Sequence, residues 1–126
     1  SFIDSWCGAL ADLVKEGKVL QIGGDGLLVW QIERVMERRA EPPIEFNLHR
    51  ITPCHSKRHI VRFCQSRSIE CIALMCNPED EAVERQLLGP RGKALDELAA
   101  SLGRTPMQVE LSWYLQRGLL AIPPTE

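Results

Sequence analysis

The sequence predicts an α/β fold built on parallel strands. Four short apolar segments, residues 19–22, 44–48, 69–75 and 119–122, alternate with segments in which apolar residues recur at helical spacing. Parallel strands need a crossover connection of about a dozen residues or more, and each gap contains a segment long enough to be a crossover helix. We therefore expect right-handed βαβ units, with the helices on one side of the sheet, in one domain over residues 1–126.

The first third of the chain is predicted to hold two helices around the first strand. Apolar residues recur at helical spacing over residues 4 to about 16, and Gly17 follows at the position of a helix C-cap glycine. The apolar run 19–22 is the predicted first strand, and the three glycines of residues 23–26 predict a turn. A second helix is predicted over residues 30–39, with two prolines shortly after its end.

The middle of the chain predicts two strands and two helices. Residues 44–48 are predicted to form a strand, residues 56–66 a helix, and residues 69–75 a strand that is apolar enough to be buried on both faces. Residues 77–91 are polar and predict a loop. Residues 93–102 predict a short helix that a glycine ends.

A capping box predicts the start of the last helix. Thr105 stands at the N-cap, Pro106 takes the first helical position, and Gln108 lies three residues after the cap. In such a box each of the two side chains accepts a hydrogen bond from the backbone N–H of the other residue. The helix is predicted to run to Arg117, and the last strand to cover residues 119–122.

Composition restricts the classes of function. The net charge is -2 and 25% of the residues are charged, so charge does not imply nucleic acid or an anionic membrane as a partner. No apolar run approaches the roughly 20 residues that span a bilayer, and we expect no membrane insertion. The first residues, which do not include a Met, lack the charged and apolar regions of a signal peptide.

The cysteines predict a reducing, intracellular compartment, with the mitochondrion and the cytoplasm left open. Their number is five, no CxxC pair occurs, and all but Cys54 lie among apolar neighbours, as small buried side chains do. Cys54, His55, His59 and Cys64 invite comparison with a metal site, but their spacing matches no common zinc pattern. Both histidines are predicted on a solvated helical face, and we expect no metal site.

Three stretches resemble the aldo-keto reductase family. Residues 5–19 (SWCGALADLVKEGKV) are similar to the family's helix that begins Thr-Trp and ends Glu-Gly-Lys. Residues 102–118 (LGRTPMQVELSWYLQRG) resemble its helix built on Thr-Pro-Ala-Gln-Val and ending Leu-Gln-Arg-Gly. Residues 63–69 (FCQSRSI) stand where the family has Cys-Lys-Glu-His-Gly-Ile. The resemblance implies the second half of a (β/α)₈ barrel, that is, a half TIM-type barrel with about four parallel strands and flanking helices.

The resemblance also implies that this chain holds no catalytic residue. In the family the catalytic aspartate, tyrosine, lysine and histidine all come from the first half of the barrel. The only tyrosine of this chain, Tyr114, falls inside the capped helix, and we expect it to pack at the domain surface.

The family's NADPH contacts fall within the matched half, where most are replaced. Asp25 and Gly26 stand where the family has the serine and asparagine that hold the nicotinamide carboxamide, and Asn47 replaces a glutamine as a shorter amide that could partly substitute. Leu74 takes the place of the ring that stacks on the nicotinamide, and Pro124 that of the lysine for the adenosine phosphate. Each lost contact is worth about 1–3 kcal/mol, so these five positions are interpreted as vestigial and NADPH binding as lost.

Two functions remain open from the sequence. The first is a non-catalytic, aldo-keto reductase-like structural or assembly subunit of a larger complex, for which a mitochondrial complex is one candidate. The alternative is part of an NADPH-dependent reductase of aldehydes and ketones whose catalytic half lies on a missing segment or on another chain. In either case a half-barrel exposes strand edges and an inner face, so we expect other protein subunits to cover them.

Overall fold

The computed structural model describes residues 2–37, 43–77, 80, 82, 83, 86 and 90–124. The strands with described bounds are β1 (Ile22–Asp25), β2 (Ile44–Arg50), β3 (Glu70–Leu74) and β4 (Leu120–Ile122). The helices with described bounds are α1 (Phe2–Lys15), α2 (Val29–Glu37), α3 (Arg58–Ser66), α4 (Pro90–Leu102) and α5 (Pro106–Leu115). The strands lie in the order β1-β2-β3-β4, and β1 pairs with β2, and β3 with β4, in parallel. The predicted α/β class with parallel strands is confirmed, as a partial barrel-like fold.

The first strand was predicted in the wrong place. It covers Ile22–Asp25 instead of residues 19–22, and the side chain of Leu20 is 89% exposed. Two of the three glycines predicted as a turn, Gly23 and Gly24, are strand residues: Gly23 pairs with Phe46, and a Cβ at Gly23 would overlap the Phe46 ring. Only Gly26, with φ 70°, adopts the left-handed turn conformation that favours glycine.

The predicted polar loop over residues 77–91 is wrong at every described position of the range after Asn77. Asp80, Ala82, Val83 and Gln86 are helical, and α4 begins at Pro90. A cap explains the first of these, because the Asn77 side chain accepts a hydrogen bond of 2.8 Å from the Asp80 backbone N–H. Asn77, three residues before Asp80, is therefore a helix N-cap signal that the sequence analysis did not recognise. Residues 78, 79, 81, 84, 85 and 87–89 of that range lie outside the described residues.

The capping box of α5 is confirmed. The Thr105 hydroxyl accepts from the Gln108 backbone N–H at 3.2 Å, and the Gln108 side-chain oxygen accepts from the Thr105 N–H at 3.0 Å. The helix ends at Leu115, two residues before the predicted end.

The prediction of a surface position for Tyr114 is wrong. Its side chain is fully buried, and its hydroxyl lies 2.5 Å from the Ile51 carbonyl oxygen and 2.8 Å from a carboxylate oxygen of Glu110. The hydroxyl makes burial possible, because it finds polar partners inside. Ile51 is 63 positions away in the sequence, so local periodicity could not reveal this contact.

The chain divides into two compact units. The first comprises residues 1–49 and 57–71, and the second residues 50–56 and 72–126. The apolar core residues of the first unit are Ile22, Ile32, Val35, Ile44, Ile60, Val61, Cys64, Ile69 and Cys71. Those of the second unit are Ile51, Ala73, Met75, Cys76, Ala99, Tyr114 and Leu119. In the described part of the chain, no helix is long and apolar enough to cross a membrane.

Candidate functional site

The side chain of Asn47 ties the loop after β1 to β2. Asn47 is fully buried; its amide oxygen accepts from the Leu27 backbone N–H at 3.2 Å, and its amide nitrogen donates to the Leu27 carbonyl at 2.9 Å. The Gly26 N–H donates to the Leu48 carbonyl at 2.7 Å and continues the pairing of the two strands past β1. The amide therefore satisfies both backbone groups of a loop residue that would otherwise lose hydrogen bonds on burial.

His49 completes this buried polar cluster. It is two residues beyond Asn47 on the same face of β2, and its Nε2 lies 3.0 Å from both the Leu27 carbonyl oxygen and the Asn47 amide nitrogen. Burial lowers the pKa of His49, and the positive charges of Lys57 and His59 act in the same direction. The hydrogen bond to the Leu27 carbonyl and the charge of Asp25 oppose the shift. At neutral pH the imidazole is therefore uncharged.

Two buried thiols lie in the same unit. Cys64 belongs to α3 and Cys71 to β3, and both side chains are almost fully excluded from solvent. The hydrogen bond from Cys71 lowers the pKa of Cys64 to about 7 against the opposing effect of burial, and the Asn47 amide lowers it further. The pKa of Cys71 is raised, because its proton is held by the Cys64 sulfur. No disulfide occurs among the described cysteines.

Two of the predicted cofactor positions lie on opposite faces of β1 and β2. A Cβ on Gly24 would meet the Asn47 amide oxygen, whereas a Cβ on Gly23 would meet Phe46. Asp25 is exposed and follows Gly23 by two residues, so it shares the face of Gly23. Asn47 is therefore on the other side of these two strands from Asp25. The sequence alone pointed to both residues but not to this separation.

Gly26 also belongs to the first unit, whereas the predicted positions Leu74 and Pro124 belong to the second. Leu74 is the last residue of β3, pairs in register with Ile122 and is 39% exposed. Pro124 follows β4 and is half-buried. Ile72, Leu74, Leu120 and Ile122 alternate with the alanines of β3 and β4, and they form what we call the open apolar face. Its members Leu120 and Ile122 are 55% and 44% exposed.

The residues weighed for a metal site are not gathered in one unit. Cys54 and His55 belong to the second unit and are exposed, and His59 and Cys64 belong to the first. His55 lies before α3 instead of on it, because α3 begins at Arg58, and its backbone N–H donates to the Thr52 hydroxyl at 3.0 Å. Over the described ranges, no three His, Cys, Asp or Glu side chains are placed to hold a metal ion.

A cleft of about 420 Å³ lies between α4 and α5 in the second unit. Three of its polar side chains have partners: Gln108 bonds to Thr105, and Ser112 accepts from Gln116. The Arg117 guanidinium covers the Trp113 ring at 4.1 Å. None of the five predicted cofactor positions lines this cleft.

The sequence analysis did not identify the buried polar and thiol side chains of the first unit as one group of residues: Asn47, His49, Cys64 and Cys71. One signal was present, because Asn47 and His49 are polar residues two apart in a strand and must share a face. The proximity of Cys64 to Cys71 has no such signal, since it depends on how α3 packs on β3.

Comparisons of this sequence with a family model and with curated proteins point to the same family. Residues 3–76 match the model of the Aldo/keto reductase family. The putative methylglyoxal reductase DkgA of Salmonella typhi is 28% identical over 97% of this chain and 42% of its own length. The 9,11-endoperoxide prostaglandin H2 reductase of Trypanosoma cruzi is 27% identical over 97% of this chain and 41% of its own length. The chain thus spans less than half the length of these curated relatives.

Solved structures agree with this result. The aldose reductase from Schistosoma japonicum matches with a TM-score of 0.79 and 25% identity over 98% of this chain and 37% of that chain. An aldo-keto reductase complexed with NADPH shares the fold, with a TM-score of 0.70 at 22% identity over 90% of this chain and 36% of that one. With the family match extending over more than half of its residues, this chain belongs to the aldo/keto reductase family.

Proposed function

We propose that this chain is a non-catalytic, aldo/keto reductase-like half-barrel that does not hold NADPH and serves as a structural subunit of a larger protein complex. The observation that carries the proposal is the burial and hydrogen bonding of the Asn47 side chain. Its amide is fully buried, and both its oxygen and its nitrogen are bonded to the backbone of Leu27. The one polar side chain that could have substituted for a cofactor contact is engaged inside the protein.

The described residues do not fit the cofactor that the solved relative holds. A ligand amide could reach Asn47 only by displacing the Leu27 backbone, which would break two part-buried hydrogen bonds at a cost of about 0.5–1.5 kcal/mol each. Asp25 presents an exposed carboxylate, and Leu74 has no ring with which to stack on a nicotinamide. No side chain of these three supplies the hydrogen bonds or the stacking that NADPH needs.

The open apolar face supports a role inside a complex. Leu74, Leu120 and Ile122 are each more than a third exposed on one face of paired strands. Covering such surface stabilises a complex by roughly 25 cal/mol per Å² of apolar area removed from water. We propose that another polypeptide covers this face, within an intracellular, reducing compartment where the cysteines remain thiols.

Fluorescence titration with NADPH tests the proposal on the full chain and on the assembly purified from its native source. The Salmonella typhi relative DkgA, titrated in parallel, serves as a comparison. We expect no saturable change in NADPH fluorescence with either form of this protein. Micromolar affinity in the isolated chain would overturn the proposal. Binding by the assembly alone, at a site that includes this chain, would favour the alternative of a reductase divided between polypeptides.

A further inference from the structure

We propose that the cleft between α4 and α5 is a binding site for a small carboxylate with an apolar body, such as an arylalkanoate. The cleft has a volume of about 420 Å³, and all the residues that line it belong to the second unit. Small-molecule sites in proteins have volumes of about 300–1,000 Å³ and combine apolar walls with a few polar groups. None of the five predicted cofactor positions lines this cleft, so the proposal does not depend on the loss of NADPH binding.

Four of the side chains that line the cleft are apolar. Leu98 and Leu102 are four residues apart and share a face of α4, and Val109 and Trp113 share a face of α5 in the same way. Leu98 is 48% exposed and Leu102 is 58% exposed, whereas Val109 and Trp113 are half-buried. An apolar group bound here removes this surface from water, which favours binding in proportion to the area covered.

The Trp113 ring is held in a fixed position by its neighbours. The Arg117 guanidinium lies 4.1 Å from the centre of the ring, and the Tyr114 ring packs against it edge to face at 5.1 Å. Tyr114 is itself fully buried. A side chain held in this way loses little conformational entropy when a ligand binds, so the apolar part of the cleft is formed before binding.

Arg104 supplies a positive charge to the cleft. It lies in the turn between α4 and α5, and its side chain lines the cleft. No ion pair between residues that the structure describes involves this guanidinium. A guanidinium carries five N–H donors in a planar fork, which matches the two oxygens of a carboxylate.

The uncharged polar groups of the cleft also favour an anion. Gln108 uses its side-chain oxygen to accept the Thr105 backbone N–H at 3.0 Å, which leaves its amide nitrogen as a donor for a ligand. Ser112 accepts from the Gln116 amide nitrogen at 3.4 Å and keeps its own hydroxyl hydrogen to donate. No acidic side chain is among the described residues that line the cleft. The lining therefore offers donors and one positive charge beside an apolar surface.

Titration of the full chain with 4-phenylbutyrate, followed by NMR spectra of the ¹⁵N-labelled protein, tests the proposal. We expect saturable shifts of the Trp113 indole N–H and of backbone amides within residues 98–116, with a Kd below about 1 mM at low ionic strength. Trp30 of the first unit, which is 59% exposed, is the internal reference and should not shift. The neutral analogue 4-phenylbutyramide should bind about fivefold more weakly, the factor that a solvent-exposed ion pair contributes at most.

Two arginine variants separate the local charge from the net charge. Arg104→Gln should lower the affinity for 4-phenylbutyrate to that for the amide and leave the amide's affinity unchanged. Arg62→Gln is the matched control, because it removes the same charge from an exposed position of α3, and it should leave both affinities unchanged. Circular dichroism establishes that each variant is folded.

Four results would overturn the proposal. The first is a titration of the wild-type chain that shows no saturation below about 1 mM. The second is equal affinity for the acid and the amide, which would leave only an apolar cleft. The third is an equal effect of the two arginine variants. The fourth is a set of shifts centred on the open apolar face instead of on α4 and α5.

Discussion

At the scale of single residues, buried polar side chains make the hydrogen bonds that join distant parts of this chain. Asn47 and His49 converge on the backbone of Leu27, and Tyr114 binds the carbonyl of Ile51. Each contact satisfies a backbone group that is removed from water. Such pairs contribute modestly when made but cost more when one partner is lost, because the other remains buried. These residues are therefore where single substitutions have their largest effects.

Replacing Tyr114 with phenylalanine should destabilise the protein. The ring still fills its space, but the hydroxyl that lies within hydrogen-bonding distance of both the Ile51 carbonyl and Glu110 is lost. We therefore expect the free energy of unfolding to fall by about 1–3 kcal/mol. Urea unfolding followed by circular dichroism measures this change. Ser112→Ala, at an exposed position of the same helix, should change stability by less than about 0.5 kcal/mol. Equal effects of the two substitutions would contradict the assignment of Tyr114.

His49 predicts a pH dependence of stability. Its pKa is lowered in the folded protein, while in the unfolded chain it titrates near 6.5. Between those two values the unfolded state binds more protons, so the free energy of unfolding increases with pH. The contribution is present in full above 6.5 and is lost as the pH falls below it toward the folded-state pKa.

Urea unfolding between about pH 5 and 8 measures this slope. His49→Gln should flatten it, because the replacement has no proton to gain in that range. His55→Gln, which removes an exposed imidazole of the second unit, should keep it. A slope that survives in His49→Gln would assign the pH dependence to another group.

At the scale of elements, the position of β1 depends on the close approach of its backbone to β2. Gly23 and Gly24 pair with Phe46 and Asn47 of β2, with a register irregularity between Ile22 and Gly23. A side chain at either glycine would overlap its neighbours, so the absence of a Cβ lets the strand lie against β2. The glycines that suggest a turn by composition thus serve strand packing instead.

Gly23→Ala should destabilise the protein by about 1–3 kcal/mol, because the new methyl group overlaps both the ring and the backbone carbonyl of Phe46. Gly8→Ala is the matched control in α1. A Cβ there meets nothing within 4 Å, and alanine is the better helix former, so we expect stabilisation by about 0.5–1 kcal/mol. Thermal unfolding of both variants gives the comparison. Opposite signs are expected, and a neutral Gly23→Ala would refute the close approach.

At the scale of the whole molecule, two features matter: the chain matches only part of its relatives' length, and it exposes an apolar face. It matches less than half the length of its relatives DkgA and the Schistosoma japonicum aldose reductase. Its second unit presents the open apolar face of β3 and β4, whose leucine and isoleucine side chains are partly in water. Apolar clusters on protein surfaces commonly mark interaction sites. Part of the fold of a family member is retained, and the partner that we propose would cover this face.

The open apolar face predicts self-association of the isolated chain. Size-exclusion chromatography with light scattering should detect species larger than a monomer at micromolar concentration, because apolar side chains on the face are removed from water by association. Leu120→Glu should shift the distribution toward monomer. Leu115→Glu is the control, since Leu115 is 68% exposed on α5 and does not belong to the face. A stable wild-type monomer, or equal effects of both substitutions, would argue against an interaction surface there.

Much of the fold follows from the sequence because it depends on local patterns. The Thr105 capping box acts between residues three apart, and helical and strand periodicities extend over a single element. The alternation of strands and helices also limits the topology to parallel βαβ units. These patterns predict the class of the fold and most element positions without knowledge of any contact between elements.

The sequence by itself therefore determined the class and most of the order of elements, and it predicts that the family's cofactor residues are replaced. Only the tertiary structure decided that Asn47 is bonded to Leu27, that Tyr114 reaches Ile51 and that β1 begins at Ile22. The physical reason is the distance along the chain. Hydrogen bonds and strand register between residues 20 to 63 positions apart depend on packing between elements, and this leaves no periodic signal in the sequence.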